Sequence, residues 1–439
     1  MKKHIFTLII ILLSIQIGFS QAIDTLKLND YFSSLELNNK FMGSVALLKN
    51  GEIVYSKQIG FSDIETSKKP NNKTKYRIGS ISKTYTATLI FKAIDDKKLV
   101  LNKSIKKYFP TIENAKKITI AHLLNHSSGI HNFTNDIKYM KYNTQYTAEK
   151  DMIEIIAESG SDFEPGSKSE YSNSNYVLLS YILQKIYKKK YSQILNDLIV
   201  TPLELKNTSY GGKISLTHNE CNSYVFKGTW EKQSETDMSI PVGAGAIVST
   251  PSDLTLFADA LFNGKLISDE SLTKMKTIVS NYGMGLFKIP FQDKTSYGHT
   301  GGIDGFSSMF GYFPDEKSAF ALTSNGSNYD NNKIAIVLLS SIFNEPYDIP
   351  SFKNTLLTSE DLDKYLGTYS GAEFPMKIKI TKSGNLLMAQ ATGQSAFALE
   401  ATELNKFIFD QAGIKLEFDP IKNEMRLQQG GGNYLLMKE

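Results

Sequence analysis

Ser80 and Lys83, three residues apart in "YRIGSISKTYTA", are the first pair in this chain whose types and spacing could do chemistry. A serine hydroxyl is a weak nucleophile and needs a base beside it. A lysine amine serves as that base when burial or a nearby cation keeps part of its population neutral. On a helix, residues three apart share a face, with Cβ atoms roughly 5–6 Å apart, so Lys83 can turn its amine toward Ser80. Alone the spacing is weak, since an N-capping serine followed by a surface lysine reads the same way. Two further stretches add weight. In "EPGSKSEYSNSNY", Tyr171, Ser172 and Asn173 lie in a Gly/Ser-rich loop before a long helical pattern. A phenol near a lysine can relay protons, and an asparagine amide can bond both a lysine and a substrate carbonyl. In "YGHTGGIDGF", His299, Thr300, Gly301 and Gly302 lie on a strand-like run. Glycines there let the backbone approach a ligand and offer N–H groups to an oxyanion.

These residues need elements to hold them. After Ser80 the apolar positions Tyr85, Leu89, Ile90 and Ala93 recur at helical spacing. "FMGSVALLKNGEIVYSKQIGFSD" predicts a hairpin turning at Asn50-Gly51, the dipeptide that best tolerates positive φ. "GFSSMFGYFPDEKSAFALTSNG" predicts a second, turning at Pro314-Asp315. "ITIAHLLNHSSG", "NSNYVLLSYILQKIYKK", "STPSDLTLFADALFNG" and "KIAIVLLSSIF" read as helices, the third capped by Ser249 or Thr250 with Pro251 in its first turn. From Tyr365 onward the chain is almost all short alternating strands. The expected organisation is a segment 1–20, a mixed α+β (or α/β) unit over 21–345, a linker over 346–360 that runs into a short helix, and a small β-barrel or sandwich over 361–439.

The chain has 439 residues and a net charge of +4, too small an excess to argue for nucleic acid or an anionic surface. Lys2 and Lys3, an apolar run from Ile5 to Ile17, and small residues Gly18 and Ser20 have the layout of a cleaved secretory signal. The run is short for a membrane span, although a retained anchor is the alternative. A periplasmic or secreted location, with no stable membrane insertion, is therefore expected. The single cysteine, Cys221, cannot form an intramolecular disulfide.

Taken together and in this order, the three motifs resemble the active site of the serine β-lactamase and penicillin-binding protein superfamily, whose elements are S-x-x-K, S-D-N and K-T-G. The Tyr-x-Asn form is similar to class C β-lactamases, D-peptidases and related esterases. "ITIAHLLNHSSGI", "FEPGSKSEYSNSNY", "TPLELKNTSY" and "GAIVSTPSDLTLFADAL" resemble the same branch, and the likeness runs over roughly residues 30–345. It implies a five-stranded antiparallel sheet flanked by helices, a helical subdomain, and a site between them. It further implies that Ser80 is acylated, that Lys83 and Tyr171 share acid and base work, and that Asn173 orients Lys83 and the substrate. The backbone N–H groups of Ser80 and Gly302 would form an oxyanion hole, and His299 and Thr300 would face the leaving group or a substrate carboxylate. The chain departs from the pattern at His299, where most β-lactamases carry lysine. That puts efficient β-lactam hydrolysis in doubt.

The resemblance implies an exported serine hydrolase acting through an acyl-enzyme, with no cofactor and no metal. Its expected partner is a small peptide or ester, peptidoglycan fragments among them. A D-peptidase of the D-Ala-D-Ala carboxypeptidase kind is placed slightly ahead of a carboxylesterase, and a β-lactamase third. A penicillin- or peptidoglycan-binding protein without turnover is the reading from a different class. His122 and His126, four apart, could share a metal, but no H-E-x-x-H pattern accompanies them. Asp304 is read as a turn residue, and the C-terminal β-region as an accessory module without chemical motifs.

Overall fold

The computed structural model describes residues 23–352, 355 and 357–439. The expected signal segment and three linker positions lie outside them. The central element is a six-stranded antiparallel sheet. Its order runs Glu52–Ile59, Phe41–Lys49, Ser318–Ser327, Phe306–Phe313, Lys294–Ile303 and Phe287–Phe291. The sheet thus has one strand more than the resemblance implies, and the short strand Phe287–Phe291 occupies that edge. Both expected hairpins form. Asn50 and Gly51 take φ of 53° and 81°, as a tight two-residue turn requires.

Phe41–Lys49 is buried along all but its last residue, because helices cover both faces of the sheet. Val45, Leu47, Phe320 and Leu322 point to one side and pack with helices Thr25–Leu37 and Asn331–Phe343. Ala319, Ala321, Phe310 and Tyr312 point to the other and meet Phe257 and the helices beyond it. Period-two alternation of side chains therefore feeds two separate cores from the same strands. The helix Pro251–Phe262 starts as its sequence predicts, with the Thr250 side chain accepting the Asp253 N–H.

The C-terminal region is a closed eight-stranded barrel of sequential antiparallel strands from Gly367 to Lys438. Closure settles the choice between barrel and sandwich. The short helix expected before it is a single 3-10 turn, Asp363–Tyr365. Its Tyr365 plugs one end of the barrel. The barrel is tied to the rest of the chain through Glu400, which pairs with the buried Lys40 and accepts from Asn328. A second pair joins Asp410 to Lys333.

Candidate active site

Gly79–Ile81 form a 3-10 turn that runs directly into the helix Ser82–Asp95. Ser80, on that turn, is only partly buried, whereas the first two and a half turns of the helix are buried all round. The turn is fixed from behind, since Ile78 N donates to Ile247 O and Ile247 N donates to the Ser82 hydroxyl. Gly79 has φ +48° and lies flat on the Gly302 backbone, whose atoms a Cβ at this position would meet at 2.8 Å. Gly301 is equally confined, as its Cβ would lie 2.0 Å from Ile78 O. Two glycine segments far apart in sequence therefore meet backbone to backbone. The contact brings the exposed Gly302 beside Ser80.

Lys83 is fully buried, and its amine lies within hydrogen-bond distance of three oxygens, Ser80 Oγ at 2.9 Å, Asn173 Oδ1 at 2.8 Å and Ala244 O at 2.8 Å. The neutral amine donates its two N–H bonds to the Asn173 and Ala244 oxygens and turns its lone pair to the Ser80 hydroxyl. None of the three is a carboxylate. Burial without a counter-charge pushes the Lys83 pKa well below its ordinary value, which favours the neutral amine. Burial drives Tyr171 the other way, holding it as the protonated phenol although it is hydrogen-bonded to the Ser80 side chain. The Lys83 amine also lies 4.9 Å from the centre of the Tyr171 ring. Asn173 begins the helix Asn173–Tyr187 and is held by two side chains. Its N–H donates to Asn132 Oδ1 and its amide Nδ2 donates to Thr134 Oγ1. The Asn173 oxygen is thereby turned to Lys83.

Ser80, Lys83, Tyr171 and Asn173 thus form one connected group, with Gly302 beside it. His299 flanks the group from the strand, its ring centre 6.4 Å from that of Tyr171. Its side chain is 2% exposed and packs on Phe287 with ring centres 4.4 Å apart, and its Nδ1 bonds Thr300 O. Burial, and then the nearby Lys83, lower its pKa to about 3 against the opposing Thr300 bond, so it is neutral at working pH. The physical reason is strand alternation: Thr300 faces out, and its neighbour His299 faces the core.

Other contributors carry little or no sequence signal. The Ala244 carbonyl is backbone and leaves no side-chain trace. Asn132 and Thr134 sit in an ordinary-looking loop. His126, weighed from the sequence only as half of a metal pair, is buried and neutral. Its ring packs tilted against Tyr171 with centres 4.5 Å apart, and its Nδ1 accepts the Ser172 N–H. His122, read beside it as a possible metal partner, instead closes a capping box with Thr119. Asp304, at the turn with φ +55°, pairs with buried Arg77 at 2.8 Å and accepts from Thr236.

The cleft in front of Ser80 has a volume of about 370 Å³. Among the described residues that line it there is no lysine, arginine or histidine, and its one acid, Asp304, is already engaged by Arg77. Phe133, Tyr139, Met140 and Ile240 supply an apolar wall, with Asn143, Gln233 and Thr236 as neutral polar groups.

A family model described as Beta-lactamase matches residues 40–340. A teichoic acid D-alanine hydrolase of Staphylococcus aureus (strain MRSA252) is 25% identical over 306 residues, 68% of this chain and 73% of that protein. The solved D-amino acid amidase of Ochrobactrum anthropi SV3 is 26% identical with a TM-score of 0.63, covering 72% of this chain and 98% of that one. An octameric penicillin-binding protein homologue from Pyrococcus abyssi, 22% identical, shares the fold over 94% of this chain and 100% of its own, with a TM-score of 0.65.

Proposed function

The chain belongs to the beta-lactamase family and is a serine hydrolase, and on that premise we propose that it cleaves D-aminoacyl esters and amides whose leaving side carries no free carboxylate. The observation that carries this reading is charge: among the described residues, the cleft beside Ser80 is lined by no lysine, arginine or histidine. Outside that lining, the strand beside it brings up the neutral, buried His299, which flanks Tyr171, and the uncharged Thr300. A C-terminal carboxylate entering the cleft would lose water and find no cation, at a cost that an ester or amide does not incur. The burial of His299, which favours its neutral form, supports the preference for a leaving side without a carboxylate. The D-alanine hydrolase and D-amino acid amidase among the relatives support the acyl side of the proposal. The basic then apolar N-terminal segment supports work outside the cytoplasm.

In the proposed reaction the neutral Lys83 amine takes the Ser80 proton as Oγ attacks the carbonyl carbon. The oxyanion is held by the N–H groups of Ser80 and Gly302. The Tyr171 phenol gives its proton to the leaving oxygen or nitrogen. The Lys83 ammonium formed in the first step, close to the Tyr171 ring, returns that proton to the phenolate, so that both groups are restored before deacylation. Water then repeats the sequence on the acyl-enzyme and releases the acid. The opposite shifts of Lys83 and Tyr171 support this division of labour, since each group rests in the form its step needs.

The test is a matched panel: a D-alanyl-D-alanine peptide with a free C-terminus, its C-terminal amide, a D-alanyl ester, and nitrocefin. The amide and the ester should exceed the free acid in kcat/KM by roughly tenfold or more. A preference for the free acid overturns the proposal. A burst of product without a steady state would mean a binding protein rather than an enzyme.

A further inference from the structure

The C-terminal barrel is filled unevenly along its axis. At the end plugged by Tyr365, the rings of Tyr365, Tyr369, Phe407 and Phe418 pack within 4.9–5.6 Å of one another. At the other end the inward positions include Ala389 and Ala391, and the side chains leave a cavity of about 160 Å³. Its floor is fully apolar and buried: Ala389 is 0%, Leu427 1% and Leu416 2% exposed. Phe374, Met376 and the stacked pair Phe397–Phe409, with ring centres 4.4 Å apart, form half-exposed walls. At the mouth two neutral polar side chains, Gln394 and Gln429, reach solvent.

Eight-stranded barrels either fill their interior with side chains or hold one small ligand. This one does the first at one end and keeps room for the second at the other. An apolar void of about 150 Å³ is enough to admit benzene, so the size fits one aromatic ring. Three phenylalanines at the wall offer the edge and face contacts that rings prefer. We propose that the open end of the barrel is a binding site for a small aromatic molecule, its ring seated among Phe374, Phe397 and Phe409 and its polar substituent left at Gln394 and Gln429.

The probe is benzyl alcohol, added to the full mature chain carrying labelled methyl groups, with hexan-1-ol as the acyclic comparison. The Met376, Ile378, Leu416 and Leu427 methyl signals should shift saturably with benzyl alcohol and more weakly with hexan-1-ol. Ala389→Phe places a ring on the cavity floor and should abolish the shifts while Ser80 labelling and thermal unfolding stay as in the parent. If that variant does not fold, Ala391→Leu, nearer the mouth, should weaken binding in the same direction. Gln429→Ala should weaken benzyl alcohol by roughly three- to tenfold, the scale of one hydrogen bond, and leave benzene unaffected. Methyl signals that do not move, or that move equally in the filled variants, overturn the site. Tighter binding of hexan-1-ol overturns the assignment to a ring.

Discussion

The hydrolase unit and the barrel bury very different things. In the first, Lys83, His126, His299 and Arg77 are buried with many hydroxyls and amides. In the second, among the described residues, every buried side chain beyond Ser341 is apolar or a tyrosine. Burying a polar group costs free energy unless it is fully bonded. The hydrolase unit accepts that cost where its chemistry lies, holding a lysine without counter-charge against three neutral oxygens. The barrel follows the cheapest rule for a closed sheet, apolar inside and charged outside. Departures from local rules concentrate at functional sites, and the contrast between the two regions locates the chemistry independently of any motif.

The sharpest way to break this comparison is at Ser80. Ser80→Ala should abolish covalent labelling by a fluorophosphonate, and a chain ending at residue 350 should keep it. Loss of labelling in a folded truncated chain would show that the barrel contributes to the site. Lys83→Ala and Tyr171→Phe should each lower kcat by about 10²–10⁴. The double variant should fall far short of the product of the two losses, because the groups act as one unit.

Next in size is Gly79→Ala. A methyl there meets Gly302 backbone at 2.8 Å on a residue with φ +48°, so the two backbone donors must separate. The expected loss is about 10²–10³ in kcat, the scale of one oxyanion donor, with KM little changed. A variant that loses affinity rather than rate would place Gly302 in binding instead.

A smaller effect should fall on the seam between the regions. Glu400→Ala leaves Lys40, 1% exposed, without its carboxylate, at a cost of about 1–3 kcal/mol. Calorimetry should then separate barrel and hydrolase unfolding, with kcat unchanged.

The mildest test is pH. His299 titrates near 6.5 when unfolded and is lowered to about 3 in the fold. Its folded value lies below its unfolded one, so its stabilising contribution is complete above about pH 6.5 and is lost as pH falls toward 3. His126 is shifted in the same direction. The melting temperature of the hydrolase unit should decline below pH 6.5, and His299→Gln should lessen the decline. The barrel has no histidine and should not share this limb. Between pH 6 and 8, the ratio of kcat/KM for carboxylate-bearing and neutral substrates should be flat. A limb near 6.5 in that ratio would return His299 to the substrate.

Much of this was legible because side-chain type and spacing carry it. The S-x-x-K pair, Tyr171 and Asn173, the two hairpin turns and the alternating C-terminal strands were all readable from order alone. The burial of His299 was not readable, because its motif fixes which residues lie on the strand but not which face each one takes, and Thr300, one position on, has the exposed face. The Ala244 carbonyl was invisible because every residue has one. The barrel cavity was invisible because it depends on how alanines and phenylalanines from different strands meet in register.

The order of strands in the two sheets also sets the order of events when the chain folds. Phe41 pairs with Ser327, and Lys49 with Ser318, so this buried strand of the hydrolase sheet cannot find its second neighbour until most of the chain exists. Each barrel strand pairs with the next in sequence, and only the closing pair, Tyr369 with Lys438, is distant. Local pairing is fast, while closing a long loop is entropically slow. The barrel therefore closes mainly on local contacts, while the hydrolase sheet waits on pairs nearly three hundred residues apart. During that interval Phe41–Lys49, paired on one edge with Glu52–Ile59, leaves its other edge open, and this apolar edge is where a refolding chain is exposed to aggregation.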